Sequence, residues 1–269
     1  MRDTYAVIIV GAGPTGLMLA GELALAGVDV AIVERRDDQA VAGSRAGGLQ
    51  ARTIEILDQR GIIDRFLNEG QIAQTTGFAG TRFDISDFPT RHPYGLGLWQ
   101  NHIERILAGW VAELSVPILH GCEVTGFTQD EDGVDVALAD GRRLRAQYLV
   151  GCDGGRSRIR KAAGIDFPGS DATTSGLLAE VEMRDTPELG IHRGRLGIYS
   201  FGRKAYEIHD GAIIYADHGP ISIMVTEAGV GDRTEPTLDT LRAALIAACG
   251  TDYGLLSASW ISRFTDATR

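Results

Sequence analysis

The hydrophobic pattern at the N-terminal end of the chain predicts a strand, a helix and a second strand. Residues 5–10 form an uncharged, β-branched run with the composition of a buried parallel strand. Residues 17–26 are rich in Leu and Ala, which favour helix. Residues 29–33 form another short, mostly apolar run. This order predicts the opening βαβ unit of an α/β fold.

The middle of the chain predicts further helices and then a meander. Residues 51–69 are typical of one or two helices interrupted at Gly61, and residues 75–97 of loops with short strands. Asp-Gly pairs at 132–133 and 140–141 mark the turns of a three-stranded meander over residues 123–150. Residues 100–114 predict a helix whose apolar face carries Ile103, Ile106, Leu107, Trp110 and Val111.

Beyond Pro168 the pattern changes to a succession of short strands, which predicts a mainly antiparallel sheet in a second domain. A helix is expected at residues 238–249 and a closing strand at 256–264. The predicted strands before them cover residues 177–183, 195–201, 204–209, 212–216 and 221–226.

Glycines between the first strand and the first helix carry the first chemical signal. Gly11 permits a tight turn, Gly13 lets the backbone approach a phosphate, and Gly16 lets helix and strand pack closely. The helix N-terminus offers N–H groups and a positive dipole end to a pyrophosphate. Glu34 ends the second strand, where a carboxylate accepts hydrogen bonds from an adenosine ribose. These residues predict a dinucleotide site but do not distinguish FAD from NAD.

Composition and charge exclude several classes of protein. The 269 residues are 44% apolar, which argues against general disorder. A formal net charge of −10, with one local basic cluster at residues 156–161, disfavours a nucleic-acid partner. The three scattered cysteines include no CxxC pair, so neither a disulfide framework nor a zinc site is expected. The histidines show no ligand spacing, and we assign neither a metal ligand nor a catalytic base.

The uncharged segment over residues 5–21 is not expected to cross a membrane. It is short for a span, rich in glycine and followed at once by Glu22. Asp3 and the missing cleavage-site pattern argue against a signal peptide. We therefore expect no membrane association and a cytoplasmic location.

A second glycine-marked segment begins at residue 151. Asp153 follows the strand that ends near residue 150, and Gly154 follows it. Ser157 is placed to cap a helix that runs to Ala163. The segment 151–157 resembles the Asp-Gly motif of the single-component flavoprotein monooxygenases, the p-hydroxybenzoate hydroxylase family. The closer likeness, at residues 150–157, 260–264 and 267–269, is to actinobacterial polyketide hydroxylases, rifampicin monooxygenases and angucycline hydroxylases among them.

The resemblance implies a Rossmann-like FAD-binding domain, with a parallel sheet plus a β-meander, and a substrate domain built on a mainly antiparallel sheet. The FAD-binding domain is expected at residues 1–74 and 98–170, and the substrate domain at 75–97 and 171–260. Residues 261–269 are expected to begin the return to the first domain. The cofactor-binding residues that the glycine motif and the resemblance imply are Gly11, Gly13, Pro14, Thr15, Gly16, Glu34, Arg35, Arg45, Gln100, Val124, Asp153 and Gly154.

The resemblance also implies the reaction. NADPH, or NADH, reduces the flavin, molecular oxygen adds to it, and the resulting flavin hydroperoxide hydroxylates an aromatic or polyketide-type substrate. In the family a Gly-Asp motif and further helices follow the position of residue 269, so an absent C-terminal segment is expected to complete the site. Two alternatives stay open. One is another FAD-dependent oxidoreductase, such as a Baeyer–Villiger-type oxygenase or a dehydrogenase, and the other is a non-catalytic fragment.

Overall fold

The computed structural model describes residues 3–41, 47–78, 81–203, 205–209, 212–231 and 234–268. Within these residues, the helices are α1 (Pro14–Leu25), α2 (Ala51–Gln59), α3 (Ile63–Leu67), α4 (Gln100–Glu113), α5 (Arg158–Ala162) and α6 (Leu238–Cys249). The strands are β1 (Thr4–Val10), β2 (Val30–Val33), β3 (Gly48–Leu49), β4 (Gln71–Ala73), β5 (Thr75–Phe78), β6 (Thr81–Asp84), β7 (Gly95–Gly97), β8 (Ile118–Leu119), β9 (Val124–Asp130), β10 (Gly133–Leu138), β11 (Arg143–Gly151), β12 (Ser175–Met183), β13 (Gly190–Gly194), β14 (Gly197–Arg203), β15 (Tyr206–His209), β16 (Ala212–Tyr215), β17 (Ile221–Thr226) and β18 (Leu255–Thr265).

The chain folds as two compact units, each assembled from two stretches of sequence. The first unit contains Met1–Gly70 and Thr90–Asp166, and the second contains Gln71–Pro89 and Phe167–Arg269. The sequence-based boundary at residue 260 falls inside β18, which continues to Thr265. No helix in the described ranges is long and apolar enough to cross a membrane.

The sheet of the first unit runs in the order β8-β2-β1-β11-β10-β9. β1 pairs in parallel with both β2 and β11, and the meander adds β10 and β9 in antiparallel pairs. Adjacent β1 residues Ile8 and Ile9 point to opposite faces and are both fully buried, in separate apolar clusters. A strand buried on both faces requires the continuous apolar run seen in the sequence. The parallel pairing brings the ends of β1, β2 and β11 to one edge of the sheet.

Helices α1 and α4 pack closely against each other in the apolar cluster that contains Ile9. A side chain at Gly21 of α1 would overlap the indole ring of Trp110 of α4. Trp110 is 4% exposed, and its neighbours Ile106 and Val111 are buried with it. The absence of a side chain at Gly21 therefore allows the ring to fill the space between the two helices.

Among the residues that the structure describes, the C-terminal half of β11 is paired on one side. β10 pairs with β11 only as far as Ala146, whereas β1 pairs with it to Gly151. Beside this half-strand lies a groove of about 840 Å³ between the meander and α5. Tyr148 and Ile165 line the groove and are 66% and 59% exposed. A half-paired strand beside a partly apolar groove is a surface on which another strand can pair.

The second unit contains an antiparallel sheet in the order β13-β14-β17-β12-β18, with α6 on one face. Leu177 and Ala179 of β12 alternate with half-buried residues, and Leu241 and Leu245 of α6 pack in the same cluster. The period of two in β12 and β17 made these strands visible in the sequence. β13 was not expected, because its five residues include two glycines and lie at a sheet edge.

Candidate cofactor site

The first glycine turn connects the end of β1 to α1 and leaves little room at two of its three glycines. Gly11 has φ +105°, and a Cβ there would lie 2.5 Å from the carbonyl oxygen of Cys152. A Cβ on Gly16 would overlap the carbonyl oxygen of Gly11. Glycine at these positions is therefore required by the backbone conformation and by the close approach of the chain.

Gly13 has a different environment. It is the N-cap of α1 in extended conformation, with φ −75° and ψ 177°, and Pro14 begins the helix. A Cβ added to Gly13 would meet no heavy atom within 4 Å in the described part of the chain. Thr15 is exposed beside it. The first turn of a helix has N–H groups with no partner inside the helix, so this open space suits an anion.

Glu34 follows β2 at the same sheet edge and is 6% exposed. Its carboxylate accepts hydrogen bonds from the backbone N–H of Ala12 at 2.7 Å and of Arg36 at 2.9 Å. Burial opposes ionisation of Glu34, but these two N–H groups and the Arg36 guanidinium outweigh it, and the pKa of Glu34 lies below its ordinary value. The carboxylate is therefore charged at neutral pH and fixed against the glycine turn.

Arg36 was missed by the sequence analysis, which singled out Arg35. Arg35 is exposed, whereas Arg36 donates to the carboxylate of Glu104 at 3.0 Å and to the carbonyl of Ala12 at 3.1 Å. An extended chain places residues i and i+2 on one side, and Glu34 and Arg36 have this spacing. That period was the available signal for Arg36. The predicted contact of Arg35 with the cofactor stays a prediction.

Gln100 and Glu104 come to the same turn from the start of α4. The amide Nε2 of Gln100 donates to Glu104 Oε1 at 2.8 Å, as residues four apart on one helix face can do. The Glu104 carboxylate, in a residue that is 2% exposed, also receives Arg36. Gln100, a predicted cofactor-binding residue, is thus linked to the glycine turn through Glu104, for which the sequence predicted no role.

Asp153 lies just after β11, next to the first glycine turn: a Cβ on Gly11 would lie 3.2 Å from the Asp153 Cα. Its carboxylate accepts from the Ser157 hydroxyl at 2.5 Å and from the backbone N–H groups of Arg158 and Ile159 at 2.6 and 3.2 Å. Burial raises the pKa of Asp153, but these donors reverse the effect and hold it below its ordinary value. Ser157 caps α5 as expected by accepting from the N–H of Arg160.

The remaining predicted residues have three different placements. Gly154 has φ +81° and borders open space within the described residues. Val124 is 5% exposed and lies opposite Leu138 in the meander, and its predicted contact with the cofactor stays a prediction. Arg45 lies outside the described residues.

The geometry fits a dinucleotide. The two glycine-marked turns meet at the carboxyl ends of adjacent parallel strands, the usual ligand edge of an α/β sheet. A helix N-terminus faces open space at Gly13, and a buried, ionised Glu34 lies at the end of the second strand. Together these features define a dinucleotide-binding α/β protein.

Comparison with known proteins identifies the family. The chain belongs to the family described as "FAD binding domain", whose match covers residues 4–269. Rifampicin monooxygenase of Streptomyces venezuelae is 44% identical to it over 269 residues, which are 98% of this chain and 55% of that protein. Membership in this family makes FAD the cofactor and confirms the predicted resemblance to flavoprotein monooxygenases.

Solved structures agree with the predicted fold class. Anhydrotetracycline hydroxylase from Streptomyces rimosus superimposes with a TM-score of 0.84 at 36% identity, covering 98% of this chain and 52% of that one. An aromatic hydroxylase from angucycline biosynthesis also gives a TM-score of 0.84, at 35% identity, with the same coverage of 98% and 52%. The chain spans about half the length of the relatives it matches.

Proposed function

We propose that these residues belong to an FAD-dependent, NAD(P)H-consuming monooxygenase that hydroxylates an aromatic or polyketide-type substrate in the cytoplasm. The observation that carries the proposal is the contact between the two glycine turns, at Gly11 and at Cys152-Asp153, in a chain of the FAD binding domain family. The relatives named as monooxygenases and hydroxylases support the same reaction class.

In this proposal the protein binds and orients the cofactor, and FAD supplies the oxygen-activating chemistry when bound. The open N-terminus of α1 holds the pyrophosphate at Gly13. Glu34 accepts hydrogen bonds from the ribose hydroxyls through its remaining lone pairs. Asp153 fixes the second turn through the N-terminus of α5. The full proposed set is Gly11, Gly13, Pro14, Thr15, Gly16, Glu34, Arg35, Arg45, Gln100, Val124, Asp153 and Gly154.

The substrate is assigned to the face of the antiparallel sheet that α6 does not cover. On this face Leu178 lies opposite Met224 and Ser262, and Glu180 lies opposite Ser222 and Trp260. All six residues are half-buried. A surface of Leu, Met and Trp with a few polar groups fits a planar aromatic molecule that carries hydroxyl or carbonyl groups.

The activity is assigned to a protein larger than these 269 residues. The relatives are about twice as long, and the half-paired end of β11 lies beside the groove at Tyr148 and Ile165. We assign this groove to a further segment of polypeptide that pairs with β11. These two observations also favour the alternative, a chain that folds and binds FAD but does not turn over by itself.

The first experiment measures the visible absorbance of the purified chain after incubation with FAD and removal of free flavin. A retained, protein-shifted flavin spectrum is expected, and a colourless protein would contradict a self-sufficient cofactor site. The second experiment measures NADPH consumption with a panel of phenolic polyketides, using the 269-residue chain and a full-length relative in parallel. If no substrate stimulates consumption in the full-length protein, the hydroxylase proposal fails.

A further inference from the structure

The backbone of Ala12, at the centre of the first glycine turn, is held by side chains on both sides of its Cα. Its N–H donates to Glu34 at 2.7 Å. Its carbonyl accepts from Arg36 at 3.1 Å and from the amide Nε2 of Gln39 at 2.8 Å. Three side chains therefore fix the two peptide groups that flank the Ala12 Cα, and the second of these groups contains the backbone nitrogen of Gly13.

Glu104 holds two of those three side chains, although it does not touch the turn itself. One oxygen accepts from Arg36 at 3.0 Å and from Gln39 at 3.1 Å, and the other accepts from Gln100 at 2.8 Å. The residue is 2% exposed. A carboxylate buried to this extent is tolerated only with compensating donors and a positive charge, and here Arg36 provides the charge.

The orientation of Gln39 indicates what this network favours. Its Nε2 donates to the Ala12 carbonyl and to the Glu104 carboxylate, while its Oε1 is buried without a hydrogen-bond partner in the described residues. An unpaired buried acceptor is unfavourable, and such groups are few in folded proteins. With the amide reversed, Oε1 would instead face these two acceptors, so the Ala12 carbonyl and the Glu104 carboxylate together select the observed orientation.

We propose that Glu104 is a positioning residue for the cofactor: through Arg36 and Gln39 it fixes the peptide group between Ala12 and Gly13, and so presets the turn that receives the pyrophosphate. The inference rests on the proposed cofactor site and adds to it three residues, Arg36, Gln39 and Glu104. Presetting lowers the ordering that binding itself must supply, so the network acts on affinity.

The test compares Glu104→Gln with Glu113→Gln. Both residues are on α4, but Glu113 is an exposed partner of Arg65. The measurements are the affinities for FAD and for ADP, well below the melting temperature, and the melting temperature without ligand. We expect Glu104→Gln to lower the affinities for FAD and for ADP about tenfold each, which is the scale of a hydrogen bond to a charged group. Glu113→Gln should leave both affinities unchanged.

Gln39→Ala keeps the test decisive if Glu104→Gln does not fold. Gln39 is half-buried, and its loss removes one of the two side-chain donors to the Ala12 carbonyl, while Arg36 still bonds to that carbonyl and to Glu104. Gln39→Ala should lower the affinities for FAD and for ADP severalfold, with little change in melting temperature.

The outcomes separate the inference from the site on which it rests. If the unmodified chain binds FAD and ADP and the folded variants bind them equally well, the positioning role is wrong and the site stands. A melting temperature that falls with unchanged affinities would show a role in stability alone, and would also overturn the inference. If the unmodified chain binds neither ligand, the cofactor site and the positioning role fail together.

Discussion

Gly16 and Gly13 belong to one motif but have opposite surroundings. A side chain at Gly16 would overlap the backbone of Gly11, whereas Gly13 has ordinary extended dihedrals and open space within the described residues. The fold therefore requires glycine at position 16, and it does not require glycine at position 13. Packing therefore accounts for Gly16, whereas the open space at Gly13 fits the pyrophosphate that we propose to bind there.

The second glycine turn divides in the same way. Gly151 is close to the side chain of Ile159, whereas Gly154 borders open space and has φ +81°. The left-handed backbone conformation at position 154 favours glycine, and the space beside Gly154 is open to a ligand. Substitutions at these positions separate loss of fold from loss of binding.

The largest expected effect is that of Gly16→Ala. The new methyl group overlaps the Gly11 carbonyl, which is backbone and cannot turn aside as a side chain could, so we expect a loss of roughly 3 kcal/mol in the free energy of unfolding. Urea denaturation measures it. Gly109→Ala is the matched control, because Gly109 lies inside α4 with open space around it, and it should stabilise by about 1 kcal/mol. Equal stability of the two variants would refute the steric argument.

The second-largest expected effect is the loss of FAD affinity in Glu34→Ala. Loss of a charge-assisted hydrogen bond weakens binding by roughly 1.5–3 kcal/mol. Flavin fluorescence titration gives the affinity, with Glu113→Ala as an exposed control. An unchanged affinity for FAD in Glu34→Ala would remove Glu34 from the site.

Gly13→Ala should separate binding from folding most clearly. Its methyl group meets open space, so the expected cost is that of Ala in place of Gly at the N-cap of α1, about 1 kcal/mol of the free energy of unfolding at most. The methyl group would occupy the approach to the pyrophosphate, and we expect FAD affinity to fall about tenfold, or about 1.4 kcal/mol. Full affinity in Gly13→Ala would mean that no phosphate approaches this backbone.

Ser157→Ala tests the second turn. It removes the cap on α5 and one donor to Asp153, which should cost about 1 kcal/mol of stability. Thermal unfolding followed by circular dichroism measures the loss. Ser157→Thr retains the hydroxyl and should recover most of it; equal losses in the two variants would argue against a capping role.

The smallest expected effect is a change in pH dependence for Asp153→Asn. Asp153 has a folded-state pKa below its ordinary 3.8, so its contribution is fully present above that value and is lost as the pH falls through the lower, folded-state pKa. Stability of the unmodified chain, measured by urea denaturation between neutral pH and the acid range, should fall more steeply in acid than that of Asp153→Asn. Parallel pH profiles would contradict the assigned hydrogen bonds.

Local sequence determined much of this protein. The uncharged β-branched run fixed β1, because a strand buried on both faces must be apolar throughout. Gly61 separated α2 from α3 through its left-handed backbone, with φ +67°. Ser157 predicted the start of α5, because a hydroxyl just before a helix accepts a hydrogen bond from a backbone N–H of the first turn. Each of these signals acts within a few residues along the chain, and for that reason each is visible in the sequence.

The tertiary structure decided what those signals do together. Glu34 was predictable from its place after β2, but its bond to the Ala12 N–H joins residues that are far apart in sequence. Arg36, Gln39 and Glu104 meet because β1 and β2 end, and α4 begins, at one edge of the sheet, and no local pattern records that meeting. The same packing made Gly16 indispensable and left Gly13 open. Sequence determined where the turns are, and the packing of distant segments against them decided which positions are left for a ligand.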